Sequence, residues 1–88
     1  MKAIVTVLGL DQKGIIAKVS TCLYSLDINI LNISQTIMED KFTMIMIVDM
    51  SENPDISSVA SKLDALAKEI KVEIRIQSED IFYAMHQI

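Results

Sequence analysis

Apolar residues recur with two different periods along the chain, and the changes of period divide it into segments. Residues 2–9 are apolar or β-branched at nearly every position, which predicts a strand covered on at least one face. From Gly14 onwards the apolar residues follow the spacing of one helix face, with Lys18 and Thr21 on the other. The apolar set is Ile15, Ile16, Val19, Cys22, Leu23 and Leu26. The chain therefore begins with a strand and an amphipathic helix that lies on a sheet.

Two further strands are predicted in residues 27–38 and 41–50, separated by a short hairpin turn at Glu39-Asp40. In the first of them the apolar alternation slips between Ile30 and Leu31, which predicts a bulge or a bend. In the second, apolar residues occur at both parities, so both faces of the sheet are expected to carry apolar side chains there.

The remaining segments are a second helix, a last strand and a short final helix. Asn53-Pro54 is typical of a helix start, with Asn as N-cap and Pro at the first helical position. Residues 72–77 alternate as a strand with one wet face. Ser78 is predicted to cap a final helix in which Glu79 and Asp80 favour the positive end of the dipole. The buried stripe of the second helix is expected to be Ile56, Val59, Leu63, Leu66 and Ile70.

The predicted order of strands and helices, βαββαβ plus a short helix, is the ferredoxin-like pattern of the α/β (α+β) class. Right-handed crossovers place both long helices on one face of a four-stranded antiparallel sheet. We see no linker, repeat or low-complexity segment in the 88 residues, so residues 1–88 are expected to form a single domain.

The composition of the chain excludes some kinds of binding partner and favours others. A net charge of -4 provides no positive field for phosphates, so direct nucleic-acid binding is not expected. A hydrophobic fraction of 51% in so small a domain favours a homodimer. Cys22 is the only cysteine; we interpret it as buried, and it fits a reducing compartment. Since no stretch approaches the length of a membrane span or a signal segment, we expect a cytoplasmic protein without membrane contact.

The sequence contains no recognisable catalytic or metal-binding arrangement. The single His and the single Cys lie far apart, and no phosphate loop or paired metal-ligand spacing occurs. We therefore expect no enzyme activity, no cofactor and no metal site. Three other kinds of protein share this fold, and the sequence lacks the residues that each of them requires. These are the exposed aromatics of an RNA-recognition sheet, the Cys-x-x-Cys of a copper carrier and the Arg-bearing loop of acylphosphatase.

Residues 9–20, GLDQKGIIAKVS, followed about a helix length later by Asp27-Ile28-Asn29-Ile30, resemble the motif of the ACT-domain family. The likeness extends along the whole chain, and residues 76–86 are similar to the end of small stand-alone bacterial and archaeal ACT proteins. More distantly, the chain resembles the ACT domains of the glycine cleavage system transcriptional repressor and of formyltetrahydrofolate deformylase. The resemblance implies a homodimeric regulatory protein that binds a small molecule, an amino acid.

In that family the ligand lies between the first loop of one subunit and the second strand of its neighbour. Independently of the resemblance, Gly14 leaves N–H groups free at a helix start, which suits a carboxylate. Many ligand-binding members have Pro just before the Gly, where this chain has Gln12-Lys13-Gly14, which predicts a looser loop. The open alternative is a dimeric protein-interaction module without a small ligand. The residues that the resemblance assigns to ligand binding are Asp11, Gly14, Ile15 and Ile16 from one subunit and Asn29 and Ile30 from the other.

Overall fold

Seven helices and strands follow one another in the computed structural model, which describes residues 1–50 and 55–86. They are β1 (Lys2–Leu10), α1 (Ile15–Ser25), β2 (Asn29–Met38), β3 (Lys41–Asp49), α2 (Ile56–Ile70), β4 (Val72–Ser78) and α3 (Glu79–His86). The strands form one antiparallel sheet in the order β2-β3-β1-β4. The predicted ferredoxin-like βαββαβ fold, with a short C-terminal helix, is confirmed.

The core lies between the sheet and the two long helices. Alternate residues of β1 and β3 point into it, because successive side chains of a strand point to opposite faces of the sheet. One stripe of each helix packs against them, because side chains three or four residues apart share one face of a helix. Eleven of these residues are Ala3, Val5, Val7, Met44, Met46, Val48, Ile15, Val19, Leu23, Val59 and Leu63, all at most 2% exposed. The methionines of β3 thus fill the core beneath the helices, as expected for an adaptable apolar side chain.

The slip of apolar parity in β2 is a register shift between Ile30 and Asn32, so Leu31 is the extra residue of a bulge. Ile30 pairs with the buried Val48 and lies on the helix side, whereas Asn29 pairs with Asp49 on the opposite face. The bulge predicted from the sequence is confirmed.

The structure confirms two local signals and corrects a third. Ser78 Oγ accepts a hydrogen bond from the Ile81 N–H at 3.3 Å and caps α3 as predicted. The hairpin turn contains Glu39 in a left-handed conformation with φ 58°. The N-cap of α2, however, is Asp55, whose Oδ1 accepts from the Ser58 N–H at 3.2 Å, and the predicted cap at Asn53-Pro54 lies outside the described residues. Both Asn and Asp cap well, so the sequence signal was two residues early.

Several apolar residues are less buried than their helix stripes predict. In α2, Ile56 and Leu66 are only partly buried and Ala67 joins the buried stripe, and in α1 Leu26 is partly buried. Cys22 is half-buried rather than buried, and Ile16 is 37% exposed. Both lie on the flanks of the α1 stripe, away from its buried centre at Val19. Within the described ranges, no helix is both long and apolar enough to cross a membrane.

Candidate functional site

The loop between β1 and α1 is fixed at its first residue and turns at its last. The Asp11 N–H donates to the Asp40 carbonyl at 2.7 Å, which extends the pairing of β1 and β3 by one step into the loop. Gly14 has φ 84° and ψ 6°, a left-handed conformation that glycine adopts without cost. The chain can therefore leave the sheet and enter α1 within four residues.

The start of α1 offers unpaired donors. The first intrahelical bond runs from the Lys18 N–H to the Gly14 carbonyl at 2.9 Å, so the N–H groups of Ile15, Ile16 and Ala17 precede the helical ladder. No side chain caps this helix, and its first turn carries no acidic residue. Lys18 is close by, since its Cε lies 3.8 Å from the position of a Cβ on Gly14. This arrangement favours a negatively charged group.

A groove of about 450 Å³ separates the start of α1 from β2. Its walls are the loop and first helical turn on one side and Gln35 and Ile37 on the other, with the buried Phe42 behind them. Ile37 is 50% exposed, so the groove presents apolar surface beside the free N–H groups. The lining residues are Asp11, Gln12, Gly14, Ile15, Ile16, Ala17, Gln35, Ile37 and Phe42. The groove can accept a small molecule with an anionic end and an apolar body.

The structure brings four of the six predicted site residues together, since Asp11, Gly14, Ile15 and Ile16 all line the groove. Asn29 and Ile30 lie at the far end of β2, which pairs with the end of β3, about 25 Å from Ile37 at the usual rise of a strand. Within one chain the two sets do not meet.

Five groove residues were missed by the sequence analysis, namely Gln12, Ala17, Gln35, Ile37 and Phe42. Gln35 and Ile37 share a face of β2 two residues apart, and a register with β3 would have placed them beside Phe42. Gln12 lines the groove and its Nε2 also donates to the Ile70 carbonyl at 2.7 Å. No sequence signal reports that bond, because its partners are 58 residues apart.

Comparison with known proteins decides the family. Residues 2–77 match the model of an ACT-domain family. The chain belongs to the ACT-domain family. It is 49% identical over 89 residues to a UPF0237 protein of Clostridium acetobutylicum, with both chains covered completely. The ACT domain is a regulatory domain that binds small ligands.

Solved structures agree with the ACT assignment. An ACT domain protein from Streptococcus pneumoniae superposes with a TM-score of 0.85 at 41% identity, covering 93% of each chain. A putative glycine cleavage system transcriptional repressor gives 0.76 at 21% identity, over 86% of this chain and 44% of that one. A formyltetrahydrofolate deformylase from Pseudomonas putida gives 0.81 at 10% identity, over 89% and 29%. The last two show the fold alone, and the predicted distant resemblances are confirmed at that level.

Other ionisable groups of this ACT domain lie outside the groove. Burial raises the pKa of the Cys22 thiol above its ordinary value, and nearby Lys62 partly offsets this rise. Cys22 faces a shallow groove between α1 and α2. In residues 1–50 and 55–86, no three His, Cys, Asp or Glu side chains are grouped so that they could hold a metal ion.

Proposed function

We propose that this protein is a homodimeric regulatory ACT protein that binds an amino acid in the groove at the start of α1. The observation that carries the proposal is the convergence of free N–H groups, an exposed carboxylate and apolar surface in one groove of an ACT domain. Residues 1–88 act as one unit in this proposal. The single Cys22 favours a cytoplasmic location.

The groove provides a place for each part of an amino acid. The N–H groups that follow Gly14, at Ile15 and Ile16, donate hydrogen bonds to the carboxylate at the positive end of the helix dipole. Asp11 is exposed beside them and pairs with the ammonium group. The ligand side chain then covers Ile37, whose exposed surface contributes by the hydrophobic effect.

A second copy of the chain supplies the other half of the site when two β2 strands pair antiparallel about their midpoint. The N-terminal half of one β2 then lies beside the C-terminal half of the other, so Ile30 of one copy lies near Ile37 of its partner. Ile30 and Ile37 both lie on the helix side of the sheet, because they pair with the buried Val48 and Phe42. Ile30 of the second copy then closes the groove.

The same pairing brings Asn29 of the second copy close to Met38, next to the groove but on the other face of the sheet. We therefore assign Asn29 a backbone role at the seam between the copies. Ile30 provides the side chain that reaches the groove.

The test is calorimetric titration of the purified protein with each of the twenty standard amino acids. We expect one or a few of them to bind, and Asp11→Asn to weaken that binding by about 1.5–3 kcal/mol, the range for a hydrogen bond to a charged group. The matched control is Asp27→Asn, an exposed Asp at the other end of α1 whose φ of 62° Asn tolerates. Asp27→Asn should bind the amino acid with the same affinity as the unmutated protein.

If none of the twenty gives heat, the ligand assignment is wrong and the dimeric interaction module replaces it. The exposed apolar residues on the sheet face away from the helices, Leu8 at 41% and Ile45 at 38%, favour that second function.

A further inference from the structure

The ligand loop is tied to two different parts of the fold through consecutive residues. The Asp11 N–H bonds to the Asp40 carbonyl in the β2–β3 turn, and the Gln12 amide bonds to the Ile70 carbonyl at the end of α2, each at 2.7 Å. These two hydrogen bonds, to opposite sides of the loop, hold the first two of its four residues. The bond to Ile70 depends on the Gln12 side chain alone.

The Ile70 carbonyl is an acceptor that the helix itself leaves open. The last carbonyls of an α-helix have no intrahelical partner, and the capping N–H of Lys71, with φ 59°, bonds to the Ala67 carbonyl. The neighbouring strands are also closely packed, since a Cβ on Gly9 would lie 2.7 Å from Val72 Cγ1. The junction of α2 and β4 is therefore a closely packed base to which the Gln12 amide is hydrogen-bonded.

We propose that Gln12 is a positioning residue, which holds the loop so that the N–H groups after Gly14 point into the groove. Only Lys13 separates the tied residue from Gly14. Without the bond the loop is held at Asp11 alone, and a ligand must order the remainder when it binds. This inference rests on the proposed function for its effect on a ligand, whereas the effect on the loop is independent of any ligand.

The first arm of the experiment measures backbone order parameters of residues 11–16 by NMR without ligand. We expect order parameters of about 0.85 in the unmutated protein and below about 0.6 at residues 12–14 in Gln12→Ala. The isosteric Gln12→Glu should give the same low values, because its carboxylate cannot donate a hydrogen bond. The matched control is Ser25→Ala, which removes a bond of the same 2.7 Å length to the Cys22 carbonyl at the far end of α1. Ser25→Ala should leave the loop ordered.

The second arm titrates each variant with the amino acid that binds the unmutated protein. Gln12→Ala and Gln12→Glu should bind about two- to tenfold more weakly, the range of one hydrogen bond, and Ser25→Ala should bind normally. An ordered loop in both Gln12 variants, or unchanged affinity in them, would overturn the inference. If no amino acid binds the unmutated protein, the proposed function fails, and the order parameters alone still decide whether Gln12 holds the loop.

Discussion

The two edges of the sheet differ in length, charge and cover. β4 has seven residues, carries Glu73 and Arg75 on its wet face and packs against α2. β2 has ten residues without a single charge, and every one except Ile30 is exposed. Its large apolar side chains Leu31, Ile33, Ile37 and Met38 are between 40% and 67% exposed.

This difference shows which edge is expected to have a partner. An exposed strand edge is a template for pairing, and proteins protect it with short strands, charges or a covering helix. β4 is the shorter of the two edges, carries charges and packs against a helix. β2 has only the bulge at Leu31, at one end. We infer that β2 is left unprotected because a second copy covers it.

The largest expected effect comes from a charge in the middle of the unprotected edge. Ile33→Lys places two like charges near each other when the strands pair, which costs several kcal/mol. Ile33 is 40% exposed in one chain, so the fold should tolerate the lysine. Sedimentation should show a change from a dimer to the 9.8 kDa monomer.

Ile45→Lys is the matched control, since Ile45 is 38% exposed but lies inside the sheet, on the face away from the helices. It should remain dimeric. A monomer from Ile45→Lys and a dimer from Ile33→Lys would instead indicate that two sheets pack face to face.

A smaller effect is expected at the first residue of β2. Because the Asn29 side chain lies on the face opposite to the groove, Asn29→Ala should change ligand affinity by less than about 0.5 kcal/mol. The dimer should survive, since apolar area is unchanged. Calorimetry that gives a loss of about 1–3 kcal/mol would show that the amide makes a buried bond to the ligand.

The smallest effect concerns Cys22, which lies on the side of α1 that meets α2 and away from β2. Thiol labelling should proceed at the same rate in the unmutated dimer and in Ile33→Lys. Slower labelling in the dimer would indicate pairing through helices.

The pH dependence of this labelling follows from burial. Since burial raises the pKa of Cys22, the midpoint of labelling should lie above that of an ordinary thiol, and Lys62→Gln should raise it further. Because the pKa of Cys22 is higher in the folded state, the thiol stabilises the fold at pH values below the ordinary thiol pKa. This contribution is lost as the pH rises through the pKa of the folded state. A midpoint at or below that of an ordinary thiol would contradict this account.

The fold could be predicted from the sequence because the spacing of apolar residues in each helix and strand depends only on neighbouring residues. The alternation of β1 and β3, the bulge beside Ile30 and the Ser78 cap all depend on neighbouring residues. The departures lie where packing decides. Ile16 fits the apolar stripe of α1 but faces the groove, and Asp55 replaces Asn53 as the N-cap.

The candidate site was predicted in part for the same reason. Asp11, Gly14, Ile15 and Ile16 form one continuous motif, whereas Gln35 and Ile37 join them only through the pairing of β2 with β3. The bond from Gln12 to Ile70 depends on where α2 ends relative to β1, which no local pattern specifies.

Amide hydrogen exchange along β2 tests the account most directly. In an edge strand every second N–H points away from the sheet and exchanges freely, whereas in a paired strand both alternating sets are protected. For residues 30–37 of the unmutated protein we expect protection of both sets, and loss of one set in Ile33→Lys. Free exchange of every second amide in the unmutated protein, with the amides of β1 and β3 still protected, would contradict pairing through β2.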